Sequence, residues 1–148
     1  MKVVALIGES CVGKSTLAEA LRQRLGAKVY AGKDYVRLAK TEAEARRAFA
    51  AFLADAAEPV VYVVSEMDQL ALLPEDCARV LMTAPIEVLK ERFAKRTGGK
   101  LPPPIASMLE RKHGMFDAVS CDARLTHGAY DTETACGEIA RMLEKQTG

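Results

Sequence analysis

Eight consecutive residues, Gly8-Glu9-Ser10-Cys11-Val12-Gly13-Lys14-Ser15, form the pattern G-x-x-x-x-G-K-[ST], and each fixed position has its own chemical task. The glycines let the backbone turn so that successive N–H groups converge on phosphate oxygens. Lys14 reaches the outer phosphates, and the Ser15 hydroxyl is placed to ligate Mg2+. At ordinary residue frequencies the pattern arises by chance in roughly half a percent of chains this long. Its context narrows the odds further, because such a loop must join a buried strand to a helix. The apolar run Val3-Val4-Ala5-Leu6-Ile7 stands directly before it, and Leu17, Leu21 and Leu25 recur at four-residue spacing behind it. The stretch therefore reads as a phosphate-binding loop, with Gly8, Glu9, Ser10, Cys11, Val12, Gly13, Lys14, Ser15 and Thr16 around the nucleotide.

Other residues can do chemistry beside it. Ser65-Glu66-Met67-Asp68 follows the most β-prone run of the chain, at the edge where open α/β sheets bind ligands. Glu66 there can hold magnesium's water shell or face an acceptor, with Asp68 as substitute if the strand ends later; as plain structure it is an acid favoured by a helix start. Cys11, at a helix N-terminus beside a lysine, reads as loop filler or as an oxidation-sensitive thiol. His127 stands alone and reads as structural or exposed. Arg111, Lys112 and His113 close a helix, where positive charge suits the dipole.

These residues need a scaffold, and strand-like and helix-like segments alternate as in a parallel sheet flanked by helices. Five strands are expected, at 3–7, 27–30, 60–64, 79–82 and 123–125. The third of these, nearly all β-branched, is expected near the sheet centre and buried on both faces. Thr41 and Glu44 fit a capping box opening a helix with Ala45, Phe49, Phe52, Leu53 and Ala56 inward. Pro85 starts another helix with Ile86, Leu89 and Phe93 inward, ended by Gly98-Gly99. Pro102-Pro103-Pro104 predicts a stiff connector before a short helix over 105–112, so that 97–117 forms an excursion from the core. Asp131 or Thr132 caps a last helix carrying Ala135, Ile139, Met142 and Leu143.

The 148 residues, about half of them apolar, support one core and hence a single domain over 1–148. No apolar run approaches the ~20 residues needed to cross a bilayer. The first strand begins at Val3, leaving no space for a signal peptide, so a soluble, cytoplasmic protein is expected. The four cysteines are scattered without metal-ligand spacing and read as free thiols. A net charge of +1 argues against general nucleic-acid affinity. Yet 92–113 holds six Lys and Arg against one acid, so the rest of the chain is net acidic. With eight aromatics and no Trp, stacking platforms for nucleic acid are unsupported.

The loop and the order of segments resemble the small P-loop kinases of the nucleoside-monophosphate-kinase-like group, which includes adenylate, shikimate and gluconate kinases. The resemblance covers essentially the whole chain, the loop being its one specific match. It implies an α/β, three-layer P-loop NTPase fold with a five-stranded parallel sheet and a small lid. It also implies Mg2+ and ATP, and transfer of the γ-phosphoryl group to a small-molecule acceptor. The acceptor region falls on 31–37, where Asp34 can orient or deprotonate a hydroxyl and Arg37 can clamp an anionic group. Gly32 and Lys33 depart from the shikimate-type and adenylate-type patterns, and both charges also read as a solvated turn. Arg92 and Arg96, four apart on one helix face, fall where such kinases begin their lid. By that resemblance Arg92 lies against the adenine and Arg96 reaches the phosphates; otherwise they are a solvated basic face. Together Lys14, Arg92, Arg96 and Asp34 form the expected catalytic set. A reading from another class stands beside this one: a nucleotide-binding switch or NTPase acting through a partner. No N-K-x-D segment is present to read guanine.

Overall fold

Val3–Ile7 forms β1, and all five of its side chains are buried because the strand lies at the centre of a sheet covered on both faces. The computed structural model describes residues 1–144. The single-domain expectation over 1–148 thus reaches, at 145–148, outside the described residues. From β1 the chain passes through the phosphate loop into α1 (Lys14–Leu25), β2 (Lys28–Ala31) and α2 (Glu42–Ala54). It continues through β3 (Val60–Val64), β4 (Cys77–Thr83), α3 (Ile86–Arg96) and α4 (Pro103–Lys112) to β5 (Ala123–Thr126) and α5 (Thr132–Glu144). The five strands are parallel in the order β2-β3-β1-β4-β5.

Alternation of side chains along the strands divides the core in two. Val4 and Leu6 of β1, with Val61, Val63, Val80 and Met82, face α1 and α5 through Leu17, Leu21, Ile139 and Leu143. Val3, Ala5 and Ile7, with Val60, Tyr62, Val64 and Leu81, face the α2 side through Ala45, Phe49 and Leu53. This three-layer α/β sandwich presents every strand's C-terminal end, and so the phosphate loop, at one edge.

Helix ends follow local chemistry. Thr41 Oγ1 accepts the Glu44 N–H at 3.2 Å as the N-cap of α2, and Asp131 Oδ1 accepts from the Thr134 N–H at 2.8 Å before α5. Phe52 departs from its expected inward place: it is exposed and packs edge-on against Tyr30, while Ala56 lies beyond the helix. The fourth strand is longer than 79–82, because Cys77 and Ala78 are small enough to stay buried while pairing with Val3 and Val4.

The proline run corrects the expected connector. Pro102 is the N-cap of α4, and Pro103 and Pro104 open the helix. The first turn needs no intrahelical N–H donors, and proline's fixed φ suits it. The irregular part of the excursion is thus 97–102. Its C-terminal part is no excursion at all, since Phe116 is buried in the core beside Tyr35 and Phe49. Two short 3₁₀ segments, Asp34–Leu38 after β2 and Met67–Leu72 after β3, complete the edge that carries the loop.

Candidate active site

The phosphate loop takes its shape from three backbone positions. Gly8 packs so closely that an added Cβ would meet the Met82 carbonyl oxygen and Val12 Cγ1, each at 2.8 Å. Gly13, the N-cap of α1, has φ 113°, and Cys11 is the one non-glycine residue with positive φ among those described, at 70°. Behind them Lys14, Ser15 and Thr16 form the first turn of α1, whose N–H groups have no intrahelical acceptors, as an anion-binding helix end requires.

Lys14 is folded under this loop and is only 6% exposed. Its ammonium donates to the carbonyl oxygens of Gly8 and, at 3.2 Å, Val64, and to Ser65 Oγ at 2.9 Å. Burial pushes its pKa down to about 8. The charges of Glu9, Cys11 and Glu66 oppose that fall, while Arg96 adds to it. Ser65 is itself held from behind. The buried Gln69 accepts the Ser65 and Glu66 N–H groups on its side-chain oxygen at 2.9 and 3.2 Å. Gln69 gave no signal in the sequence, where a glutamine in a short irregular segment looks like surface.

The structure places Arg92 and Arg96, four apart on α3, beside the loop. Arg92 donates through Nη1 to the Cys11 carbonyl at 3.0 Å, and its Nη2 stands 3.2 Å from His127 Nδ1. Beside them is a cavity of about 350 Å³ lined by Cys11, Gly13, Thr16, Arg92, Arg96 and Tyr130. Burial raises the Tyr130 phenol, partly opposed by Arg92, so the hydroxyl remains a donor. Ser15, exposed in the first turn of α1, has its hydroxyl free to reach an ion at the same edge.

The two acids at this edge are engaged by the end of α4. Glu66 pairs with Lys112 at 2.8 Å. Glu9 accepts the Gly114 N–H at 3.0 Å on one carboxylate oxygen and faces His113 Nδ1 at 3.0 Å with the other. Lys112 and His113 therefore do more than complement a helix dipole. Their partners lie 46 and 104 residues away, beyond the reach of local pattern.

Asp34 and Arg37 stand apart from this cluster. Asp34 Oδ2 accepts the Ala31 N–H at 2.8 Å, closing the turn after β2, and Arg37 is exposed at the end of the same segment. Among the described residues neither is joined to the loop by a hydrogen bond or ion pair. The segment is fixed by Tyr62, whose hydroxyl donates to the Gly32 carbonyl at 2.7 Å, and by Arg46 of α2. Arg46 donates to Tyr35 Oη at 3.2 Å and to the Asp68 carbonyl at 2.7 Å, tying α2 to both 3₁₀ segments. Asp68, the alternative to Glu66, is thus turned to Arg46.

The donor set fits a magnesium nucleotide: a backbone cradle, a buried ammonium beneath it, a serine hydroxyl in the first turn of α1 and two arginines lining the adjoining cavity. Among the described residues no three His, Cys, Asp or Glu side chains gather as a metal cage. An ion carried by phosphates and water needs only one or two protein ligands.

No protein-family model matches the sequence, and no curated protein matches it significantly. Solved structures do match. A gluconokinase from Sinorhizobium meliloti 1021 has a TM-score of 0.65 at 20% identity, covering 97% of this chain and 92% of that one. The shikimate kinase from Bacteroides thetaiotaomicron gives 0.66 at 17% identity, over 96% and 98% of the two chains. The YorR protein of Bacillus subtilis, solved in complex with phosphorylated GDP, gives 0.67 at 19% identity over 98% and 97%. The chain has the P-loop kinase fold, and its structural neighbours include gluconate and shikimate kinases. Among the described residues no helix is long and apolar enough to cross a membrane.

Proposed function

We propose that the protein is an ATP-dependent phosphotransferase that moves the γ-phosphoryl group of Mg-ATP to a small-molecule acceptor in the cytoplasm. The observation that carries this reading is the buried Lys14 ammonium beneath a glycine-shaped loop, with Arg92 braced on the same loop above a cavity of nucleotide size. Residues Gly8 to Thr16 hold the phosphates. Lys14 and Arg96 neutralise charge as it develops on the transferring group, and Arg92 flanks the nucleotide. Ser15 and Glu66 serve magnesium, Glu66 exchanging Lys112 for the ion's water shell. Asp34 and Arg37 lie on the acceptor side, where Asp34 orients the attacking hydroxyl and Arg37 clamps an anionic group. The α3–α4 unit, linked by 97–102, closes over the site and excludes water.

The test is ADP production from Mg-ATP, alone and with a panel of nucleoside monophosphates, nucleosides, shikimate, gluconate and other small alcohols. Lys14→Ala is the control. Acceptor-dependent turnover that vanishes in the control is the expected result; ATP binding without stimulation by any acceptor counts against the proposal.

One observation favours the partner-controlled switch. Val36, Leu38 and Met67 are 45, 53 and 48% exposed on the two 3₁₀ segments beside the loop. The same assay separates the readings, since a switch hydrolyses ATP slowly and ignores small acceptors.

A further inference from the structure

Arg92 stands between two acceptors of different kinds. The Cys11 carbonyl belongs to the phosphate loop, and His127 Nδ1 comes from the turn after β5. A guanidinium has only donors, so at 3.2 Å His127 Nδ1 must be the acceptor. The imidazole is then neutral, with its proton on Nε2. Its backbone is anchored as well, since the His127 N–H donates to the Thr83 carbonyl at the end of β4 at 2.9 Å. The acceptor is therefore presented from the rigid sheet, while Arg92 rides on α3. Arg92 Nη1 also lies 3.5 Å from where a Cβ on Gly13 would sit, so the head is held against the loop's own glycine.

We propose that His127 is a positioning residue: neutral, it fixes Arg92 against the phosphate loop in the geometry that binds nucleotide, and protonated, it releases it. This rests on the nucleotide-binding reading of the site. Protonation puts a hydrogen on Nδ1 and a positive charge beside the guanidinium, so the contact is lost and replaced by repulsion. The charged and titratable groups of the surrounding elements are Cys11 of the loop, Glu87, Lys90, Glu91, Lys95 and Arg96 of α3, Arg124 of β5, and Tyr130, Asp131 and Glu133 beyond it. Asp131 is occupied by Thr134 and Glu91 by Lys95, and among the described residues no carboxylate is hydrogen-bonded or ion-paired to His127. Nucleotide affinity should then weaken in acid through His127.

The experiment measures Mg-ATP affinity from about pH 5.5 to 8, the range over which imidazoles titrate, for the wild type, His127→Gln and His127→Leu. The glutamine amide oxygen accepts from Arg92 at every pH, so His127→Gln should bind as the wild type does at pH 8. It should escape the part of the acid weakening due to His127, about fivefold, the loss of one charge-assisted hydrogen bond at an exposed site. His127→Leu should be weakened about fivefold at pH 8 with no further loss of its own in acid. Titration of the nucleotide phosphates and of groups other than residue 127 is common to all three proteins and cancels. Parallel pH curves for the wild type and His127→Gln, or a His127→Leu variant that binds like wild type, overturn the proposal. Nitrogen-15 NMR of the imidazole without nucleotide tests the contact separately. The Nε2–H tautomer is expected, becoming a mixture in Arg92→Ala; an Nδ1–H tautomer overturns the proposal. If the wild type binds no Mg-ATP while the tautomer is as expected, the nucleotide reading fails and the Arg92–His127 contact stands.

Discussion

Lys14 carries opposite demands in one side chain. Its ammonium must be charged to meet phosphate, yet it is buried, and its pKa falls to about 8. Because this lies below the ordinary lysine value of 10.5, the unfolded chain holds the extra proton between about 8 and 10.5. Folding is therefore favoured progressively as pH rises through that window, and at neutral pH the charged lysine costs the fold about 3 kcal/mol. Bound phosphate reverses the balance by favouring the ammonium, so nucleotide binding at about pH 9 should take up a proton, and affinity should fall up to about tenfold per pH unit above 8. Calorimetry in two buffers of different ionisation enthalpy reads that proton directly. Lys14→Met should abolish it, and equal proton uptake by both proteins would refute the assignment. Gln69 makes the complementary case, a buried polar group with every role internal. Gln69→Leu strands the Ser65 and Glu66 N–H groups and should lower stability by about 2 kcal/mol in urea titrations. A loss below about 0.5 kcal/mol would mean that water or a shifted backbone replaces the amide.

At the scale of elements, the end of α4 is fastened to the site by Lys112, His113 and Gly114 acting on Glu66 and Glu9. Glu9→Ala removes the acceptor of the Gly114 N–H and the partner of His113, so amide exchange over 103–116 should rise by at least about tenfold, the loss expected from the charge-assisted Gly114 bond alone. Exchange unchanged in that segment would show that the Lys112–Glu66 pair and packing hold the end of α4 without Glu9. The same elements mark what a sequence can display. β1 and β3 were legible because strands buried on both faces must be continuously apolar, and the loop was legible because its chemistry fixes residue types at fixed spacing. The start of α4 was not, since proline breaks a helix interior but suits a first turn, and residue type alone does not tell the two positions apart. The 3₁₀ segments carry no apolar period long enough to read. The contacts of Glu9 with 113–114 and of Arg92 with Cys11 and His127 join residues far apart in the chain, and only the folded sheet edge brings them together. Asp34 is legible only by half: its residue type suggests acceptor chemistry, while the bond by which it also closes the turn after β2, from the Ala31 N–H, is read only from the folded chain.

The whole molecule depends on one sheet separating two cores. Leu21 of α1 is fully buried on the face shared with α5, and Phe49 of α2 is buried on the other, stacked on Tyr35 and edge-on to Tyr62. Strands β1, β3 and β4 contribute buried side chains to both faces, so neither core can persist once the sheet is lost. Leu21→Ala should cost about 3 kcal/mol and Phe49→Ala about 4, each by lost burial plus the cavity left behind. If the sheet couples the two faces into one cooperative unit, both variants should shift the same single transition, whether it is followed by circular dichroism or by tyrosine fluorescence. The two sites share no contacts, so the double variant should lose the sum of the single losses within about 0.5 kcal/mol. Two separated transitions in either single variant would show that the α1–α5 and α2 layers unfold independently. The phosphate loop, which enters from β1 at the centre and leaves in α1, would then be held by one layer alone.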